Sequence, residues 1–186
     1  MERINPNFIT SLRVIFFAPI ACLALMHGCL CTALIAMVLG EFTDFFDGFV
    51  ARYKLPDGTN RVSDFGKIYD PMCDSIFHMV IWITLLSLGW ISPYFVIIFF
   101  SRDAIVSNIR IFLIRRGIVL AARWSGKIKA GTQAVAQIAI VISHLSVAGG
   151  ALENFQFSAV LVAVGVTLFS LCDYGWDAYR KFTKTE

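Results

Sequence analysis

The sequence predicts an all-α, polytopic membrane protein of six transmembrane helices with both termini in the cytoplasm. Three observations carry this expectation. Hydrophobic residues make up 58% of the 186 positions and charged residues only 16%. The apolar runs recur at about the twenty-residue length that a bilayer demands. Lysines and arginines gather beside one set of helix ends and are missing from the other. The mean hydropathy of +0.72 is far above that of a soluble domain, so the chain reads as a single domain, 1–186, whose solvent is lipid. No cleavable signal peptide is expected, because MERINPNFITSLRV is too polar and the apolar run after it lacks a cleavage site.

The helices are expected at 8–27, 30–52, 66–88, 92–115, 126–147 and 156–179. Short turns of small or apolar residues separate the first and second (His27-Gly28), third and fourth (Gly89 to Pro93), and fifth and sixth (Ala148 to Asn154). Longer charged segments, Tyr53 to Phe65 and Arg115 to Ser125, join the other pairs. All 16 Lys and Arg residues fall in the N-terminus, these two loops, the C-terminal tail or helix parts near them, with Arg102 the one placed deep. The positive-inside rule then puts those loops and both termini in the cytoplasm. The five cysteines form no CxxC pair and read as small buried residues of apolar segments. His27 and His144 fall near the opposite interface.

Against this apolar background the stretch TDFFDGFVAR is anomalous. Asp44 and Asp47 are spaced i,i+3 and share one helix face. GKIYDPMCDSIF adds Asp70 and Asp74, spaced i,i+4 near the start of the next helix. Both pairs lie towards the cytoplasmic side. A carboxylate in hydrocarbon costs about 3 kcal/mol on insertion scales, so four together cost on the order of 10 kcal/mol before their repulsion is counted. A divalent cation answers this cost most directly, since hard carboxylate oxygens suit Mg²⁺ or Mn²⁺ and such ions are commonly shared with substrate phosphates. Two ions can clamp a phosphoryl displacement from both sides. Gly48 and Ala51 keep a groove open beside Asp47, Arg52 offers a guanidinium for phosphate, and Gly66 plays the corresponding part on the third helix. Helix packing through small residues is the other reading of the glycines.

These residues, Asp44-x2-Asp47-Gly48-x2-Ala51-Arg52 and then Gly66-x3-Asp70-x3-Asp74, resemble the signature of the CDP-alcohol phosphatidyltransferases at eight positions in order. One departure is the loop between Arg52 and Gly66, which at thirteen residues is longer than the family's pattern and contains the turn signal Pro56-Asp57-Gly58. PNFITSLRV, SRDAIVSNIR and WSGKIKAGTQAVAQ look similar to the phosphatidylglycerophosphate synthase branch, while Ser75 stands where that branch often carries lysine. The resemblance implies an integral membrane enzyme with six helices, working as a homodimer in the inner (cytoplasmic) membrane with its active site facing the cytoplasm. It implies that CDP-diacylglycerol binds at Asp44, Gly48, Ala51, Arg52 and Gly66 with Asn7 and Thr10, and that Asp44, Asp47, Asp70 and Asp74 hold two metal ions. It also implies that Asp74 is the base for the acceptor hydroxyl. Glycerol 3-phosphate is the expected acceptor, its phosphate meeting Arg102, Arg110, Lys127 and Lys129; nucleic acid is not an expected partner.

Other polar residues carry less. His78 lies one turn after Asp74 and is a candidate to touch the site; Glu41, one turn before Asp44, reads either as an acid supporting the others from outside or as a helix-packing group; Asp103 reads as a partner of Arg102 or Arg110. Two rival readings stay open. The acceptor could be inositol phosphate, serine or another alcohol. Alternatively, intramembrane acids and arginines could line a cation path, although such a path calls for charge at several depths and here it clusters on one side. If the four acids form a metal site, EDTA abolishes turnover of the CDP-linked lipid and Mg²⁺ or Mn²⁺ restores it. Full turnover in chelator removes the metal site from consideration.

Overall fold

The computed structural model describes residues 11–52, 64–117, 123–145 and 151–183, and their side chains except those of 44–52, 64–70, 151 and 153. A π-helical turn, Arg13–Phe17, leads into α1 (Ala18–Met26), followed by α2 (Leu30–Arg52), α3 (Asp64–Ser87), α4 (Pro93–Arg115), α5 (Trp124–Leu145) and α6 (Ala151–Phe182). The six helices fall where the apolar runs place them, and the described residues contain no strand. α6 runs further at both ends than expected; at its C-terminal end Arg180 and Lys181 occupy the last turn, where cations complement the exposed carbonyls.

The chain divides into two compact units, Met1–Leu88 and Gly89–Glu186. In the first, α1 packs on α2 and α3, and the π-helical turn touches both. Ala21, Ala33 and Ala36 are buried at these contacts and let the backbones approach closely. Gly28, at φ +73°, closes α1 and allows Cys29 N–H to reach the carbonyl of Ala24 at 2.8 Å, so the chain reverses within three residues. Gly40 of α2 lies directly against the buried ring of Phe77 on α3.

In the second unit α6 packs along α5 and also against α4. Pro93 occupies the first turn of α4, where its missing N–H leaves no bond unmade. Trp90 stacks on His144 at 3.9 Å between ring centroids. Ser143 donates to the side-chain oxygen of Gln156 near the same end.

Among the described residues, Asn154–Phe182 is the one helical stretch long and apolar enough to cross a bilayer, while Arg13–Met26, Leu30–Thr43 and Pro71–Ser87 are apolar but shorter. Of the cysteines, Cys73 is buried, Cys22 is half-buried and Cys29, Cys31 and Cys172 are exposed. The expectation that they are buried holds for Cys73 alone: Cys31 and Cys172 are exposed on α2 and α6, and Cys29 is exposed in the turn between α1 and α2.

A Cβ on Gly40 would come within 2.5 Å of the Phe77 ring, which is fully buried and has nowhere to move. Gly40→Leu is therefore expected to destabilise the protein by about 1–3 kcal/mol, the usual cost of overpacking. Thermal unfolding in detergent measures this, and adding Phe77→Ala should recover part of the loss through direct coupling. Independent, additive losses would show that the two positions do not meet.

Candidate active site

Asp74 is the acid of the motif whose side chain the structure describes. Its carboxylate is about one-fifth exposed and lies 3.4 Å from a guanidinium nitrogen of Arg13 and 3.4 Å from Nε2 of His78. His78 is buried and its Nδ1 lies 3.7 Å from the carboxylate of Glu41 on α2. Arg13 is also buried, with its guanidinium carbon 5.6 Å from the centre of the Phe77 ring. The structure thus brings Glu41 of α2, Asp74 and His78 of α3, and Arg13 of the π-helical turn into one polar cluster. His78 reaches Asp74, and Glu41 reaches His78.

Asn7 and Thr10 lie outside the described residues. Asp44, Asp47, Gly48, Ala51 and Arg52 belong to α2, and Gly66 and Asp70 to α3, but their side chains also lie outside the described residues. Asp44 is one turn beyond Glu41, and Asp70 one turn before Asp74. Among the described residues no three His, Cys, Asp or Glu side chains converge as a metal site. The donor set itself suits a hard divalent ion, being carboxylate oxygens with Asp74 still partly open, and a site of this kind would draw on Asp44, Asp47 and Asp70 as well.

The second unit holds most of the basic residues singled out for an acceptor. Lys129 is buried and donates to both oxygens of Asp103, at 2.9 and 2.8 Å. Arg102, also buried, donates to Asp103 at 3.0 Å and to the hydroxyl of Ser170 on α6 at 2.6 Å. Arg110 donates to the Tyr174 hydroxyl at 2.7 Å. Lys127 is not with them: it is exposed, and its ammonium lies 5.7 Å from the Trp124 ring centre. Two residues of spacing separate it from Lys129, which turns it to another face of α5.

Several contributors were not singled out from sequence. Tyr174 is 1% exposed, and the guanidinium carbons of Arg102 and Arg110 lie 5.3 and 5.0 Å from its ring centre. Its hydroxyl also accepts from the backbone N–H of Arg123 at 3.1 Å. Arg123 forms a fork on Asp173, with both contacts at 2.7 Å, and reaches Asp177 at 3.1 Å; Ser125 donates to Asp173 as well. Desolvation works against the Arg123 charge, but the hydrogen bond and charge of Asp173, and then those of Asp177, outweigh it and hold the guanidinium above its ordinary value. A signal existed in the spacing of Thr167, Ser170, Tyr174 and Asp177, which puts polar groups on one face of α6.

Comparison with known proteins adds a separate line. A family model described as CDP-alcohol phosphatidyltransferase matches residues 3–170. A protein of Bacillus subtilis (strain 168) named CDP-diacylglycerol–glycerol-3-phosphate 3-phosphatidyltransferase is 34% identical over 147 residues, which cover 79% of this chain and 71% of that protein. One of Mycobacterium tuberculosis, named a probable phosphatidylglycerophosphate synthase, is 30% identical over 180 residues, covering 94% and 81%. A Rickettsia prowazekii protein bearing the same name as the Bacillus one is 31% identical over 115 residues, 61% of each chain.

Asp103 is the carboxylate that both Arg102 and Lys129 touch. Asp103→Asn removes the charge and leaves two buried cations facing a neutral amide. The expected loss is about 3–5 kcal/mol, as for other broken buried pairs, read as a lowered midpoint of thermal unfolding in detergent. A change within experimental error would show that the triplet does not carry stability.

Proposed function

We propose that this chain, which belongs to the CDP-alcohol phosphatidyltransferase family, is a phospholipid-synthesis transferase that makes phosphatidylglycerophosphate and CMP from CDP-diacylglycerol and sn-glycerol 3-phosphate. Relatives bearing that enzyme name support the assignment of both substrates. The observation that carries the reading within the fold is the meeting of α2 and α3 at Glu41 and His78. That contact lies one turn from Asp44 on one helix and one turn from Asp74 on the other, which supports a shared site for the signature acids.

In this reading the whole chain, 1–186, works as one domain in the inner (cytoplasmic) membrane, with six spans and both termini and the active site on the cytoplasmic side. Its large exposed side chains support lipid contact: Ile97, Phe100 and Ile111 on α4, and Val162 and Phe169 on α6, are each more than half exposed. The family resemblance supports a homodimer.

The first unit carries the nucleotide. Gly48, Ala51 and Gly66 leave the helix backbones open to the CDP group, Arg52 contacts its phosphate, and Asn7 and Thr10 contribute from the N-terminal segment. Two Mg²⁺ or Mn²⁺ ions held by Asp44, Asp47, Asp70 and Asp74 would neutralise the diphosphate and the charge that develops as CMP leaves. Asp74 takes the proton from the acceptor hydroxyl, which then attacks the β-phosphorus. Arg13 and His78, each 3.4 Å away, hold the Asp74 carboxylate in place while it does so. Arg110 meets the phosphate of glycerol 3-phosphate, and Arg102, Lys127 and Lys129 are assigned to the same phosphate as further sources of positive charge.

The direct test incubates purified protein with labelled CDP-diacylglycerol and a panel of alcohols; product with glycerol 3-phosphate alone is expected, and product with serine or an inositol acceptor instead would displace this reading. Asp74→Asn should lower kcat by roughly two to four orders of magnitude, the ordinary worth of general acid–base catalysis, while binding of the CDP-lipid largely survives. Loss of nucleotide binding with turnover retained would make Asp74 chiefly a ligand.

A further inference from the structure

We infer that Tyr174 is a positioning residue for the acceptor phosphate: its neutral hydroxyl accepts a hydrogen bond from Arg110, which fixes the guanidinium and leaves the arginine's charge for the substrate. This rests on the assignment of Arg110 to the acceptor made above.

The inference comes from how each cation of the second unit is satisfied. Lys129 and Arg102 share Asp103, and Arg102 gives a further bond to Ser170. Arg123 has two carboxylates, Asp173 and Asp177. Arg110 differs. Among the described residues it forms no ion pair, its one hydrogen bond runs to the Tyr174 hydroxyl, and its buried Nε has no hydrogen-bond partner. A guanidinium held this way keeps its full charge and most of its five donors. A phosphate monoester supplies what is missing, namely negative charge and acceptor oxygens in a geometry that matches the guanidinium fork.

Tyr174 can hold Arg110 in place because it is itself held from several directions. Its ring lies against Arg102 as well as Arg110, and its hydroxyl accepts from Arg123 N–H at the start of α5. Gly126 leaves the room: a Cβ there would stand 3.1 Å from the hydroxyl. The neighbouring Asp173 grips Arg123 and Ser125, which fastens the first turn of α5 to α6 beside the tyrosine. A carboxylate in place of the phenol would orient Arg110 equally well but would compete with the phosphate for it. A neutral acceptor orients without competing.

Steady-state kinetics of the full-length protein in detergent, with CDP-diacylglycerol and glycerol 3-phosphate varied in turn, test this. Arg110→Ala should raise KM for glycerol 3-phosphate at least about tenfold. Tyr174→Phe keeps the ring and removes only the hydroxyl; it should raise the same KM about fivefold, the worth of one hydrogen bond, with kcat within about twofold and KM for CDP-diacylglycerol unmoved. In the Arg110→Ala background, Tyr174→Phe should add nothing further. Gly126→Ala, which crowds the hydroxyl without deleting it, should give the same selective rise and serves if Tyr174→Phe does not fold. Should Arg110→Ala raise the acceptor KM while Tyr174→Phe and Gly126→Ala leave it alone, or should the two penalties multiply in the double variant, the positioning role is overturned. Equal losses for both substrates and kcat would make Tyr174 merely structural, which also overturns it. An acceptor KM indifferent to Arg110→Ala overturns instead the acceptor assignment on which the inference stands.

Discussion

An ionised side chain taken out of water costs several kcal/mol unless a partner meets it. Arg13, Arg102 and Lys129 are all less than a tenth exposed. Each has a carboxylate within reach, Asp74 for the first and Asp103 for the other two. That requirement decides which faces of otherwise interchangeable apolar helices come together. Between helices in lipid there is little hydrophobic drive, because the tails outside are as apolar as the side chains inside. Leucines and isoleucines tolerate many rotations of a helix about its axis; a lysine that must find Asp103 tolerates one.

The same requirement organises α6. Val160, Ala163, Thr167, Ser170, Tyr174 and Asp177 follow one another at three- and four-residue steps, and the first five are buried. The face begins apolar and turns polar along its length. Thr167 meets Gln133 of α5 at 3.3 Å, Ser170 meets Arg102 of α4, Tyr174 meets Arg110, and Asp177 meets Arg123. One stripe thus closes an apolar contact at one end and fixes a set of cations at the other.

Much of this was legible in the sequence. The helices were, because Gly, Pro and charge interrupt long apolar runs at bilayer spacing, and the structure starts and stops its helices at those interruptions. The signature acids stand out in the sequence because nothing apolar accounts for them, but the side chains of Asp44, Asp47 and Asp70 lie outside the described residues. Asp103 was legible as a partner of Arg102, but its stronger engagement with Lys129 was not, since 26 residues separate the two. Tyr174 was hidden for a related reason. An aromatic near the end of an apolar helix reads as an interface residue, and its partners at Arg110 and Arg123 are 64 and 51 residues away. The polar stripe of α6 is obscured by Leu161, Val162 and Phe169, which make every face of the helix look apolar although they point outwards.

The π-helical turn shows how a local rule reaches the acid. Pro19 has no N–H to give to the carbonyl four residues back, and its ring crowds that carbonyl, so an unbroken α-helix through this point is disfavoured. The chain widens over Arg13–Phe17 instead, and Ala18 N–H bonds to the carbonyl of Arg13, five residues back. The extra residue shifts the phase of everything before it. In a regular helix the position below Ala18 on the buried face is Val14; here Val14 is only half-buried and Arg13 is the buried one. That shift turns the guanidinium inwards, over Phe77 and towards Asp74. Without it, the apolar valine would occupy the inward face and the arginine would be carried about a third of a turn away from the carboxylate it now holds. A proline six residues along the chain therefore helps to set the surroundings of the acid assigned as the base.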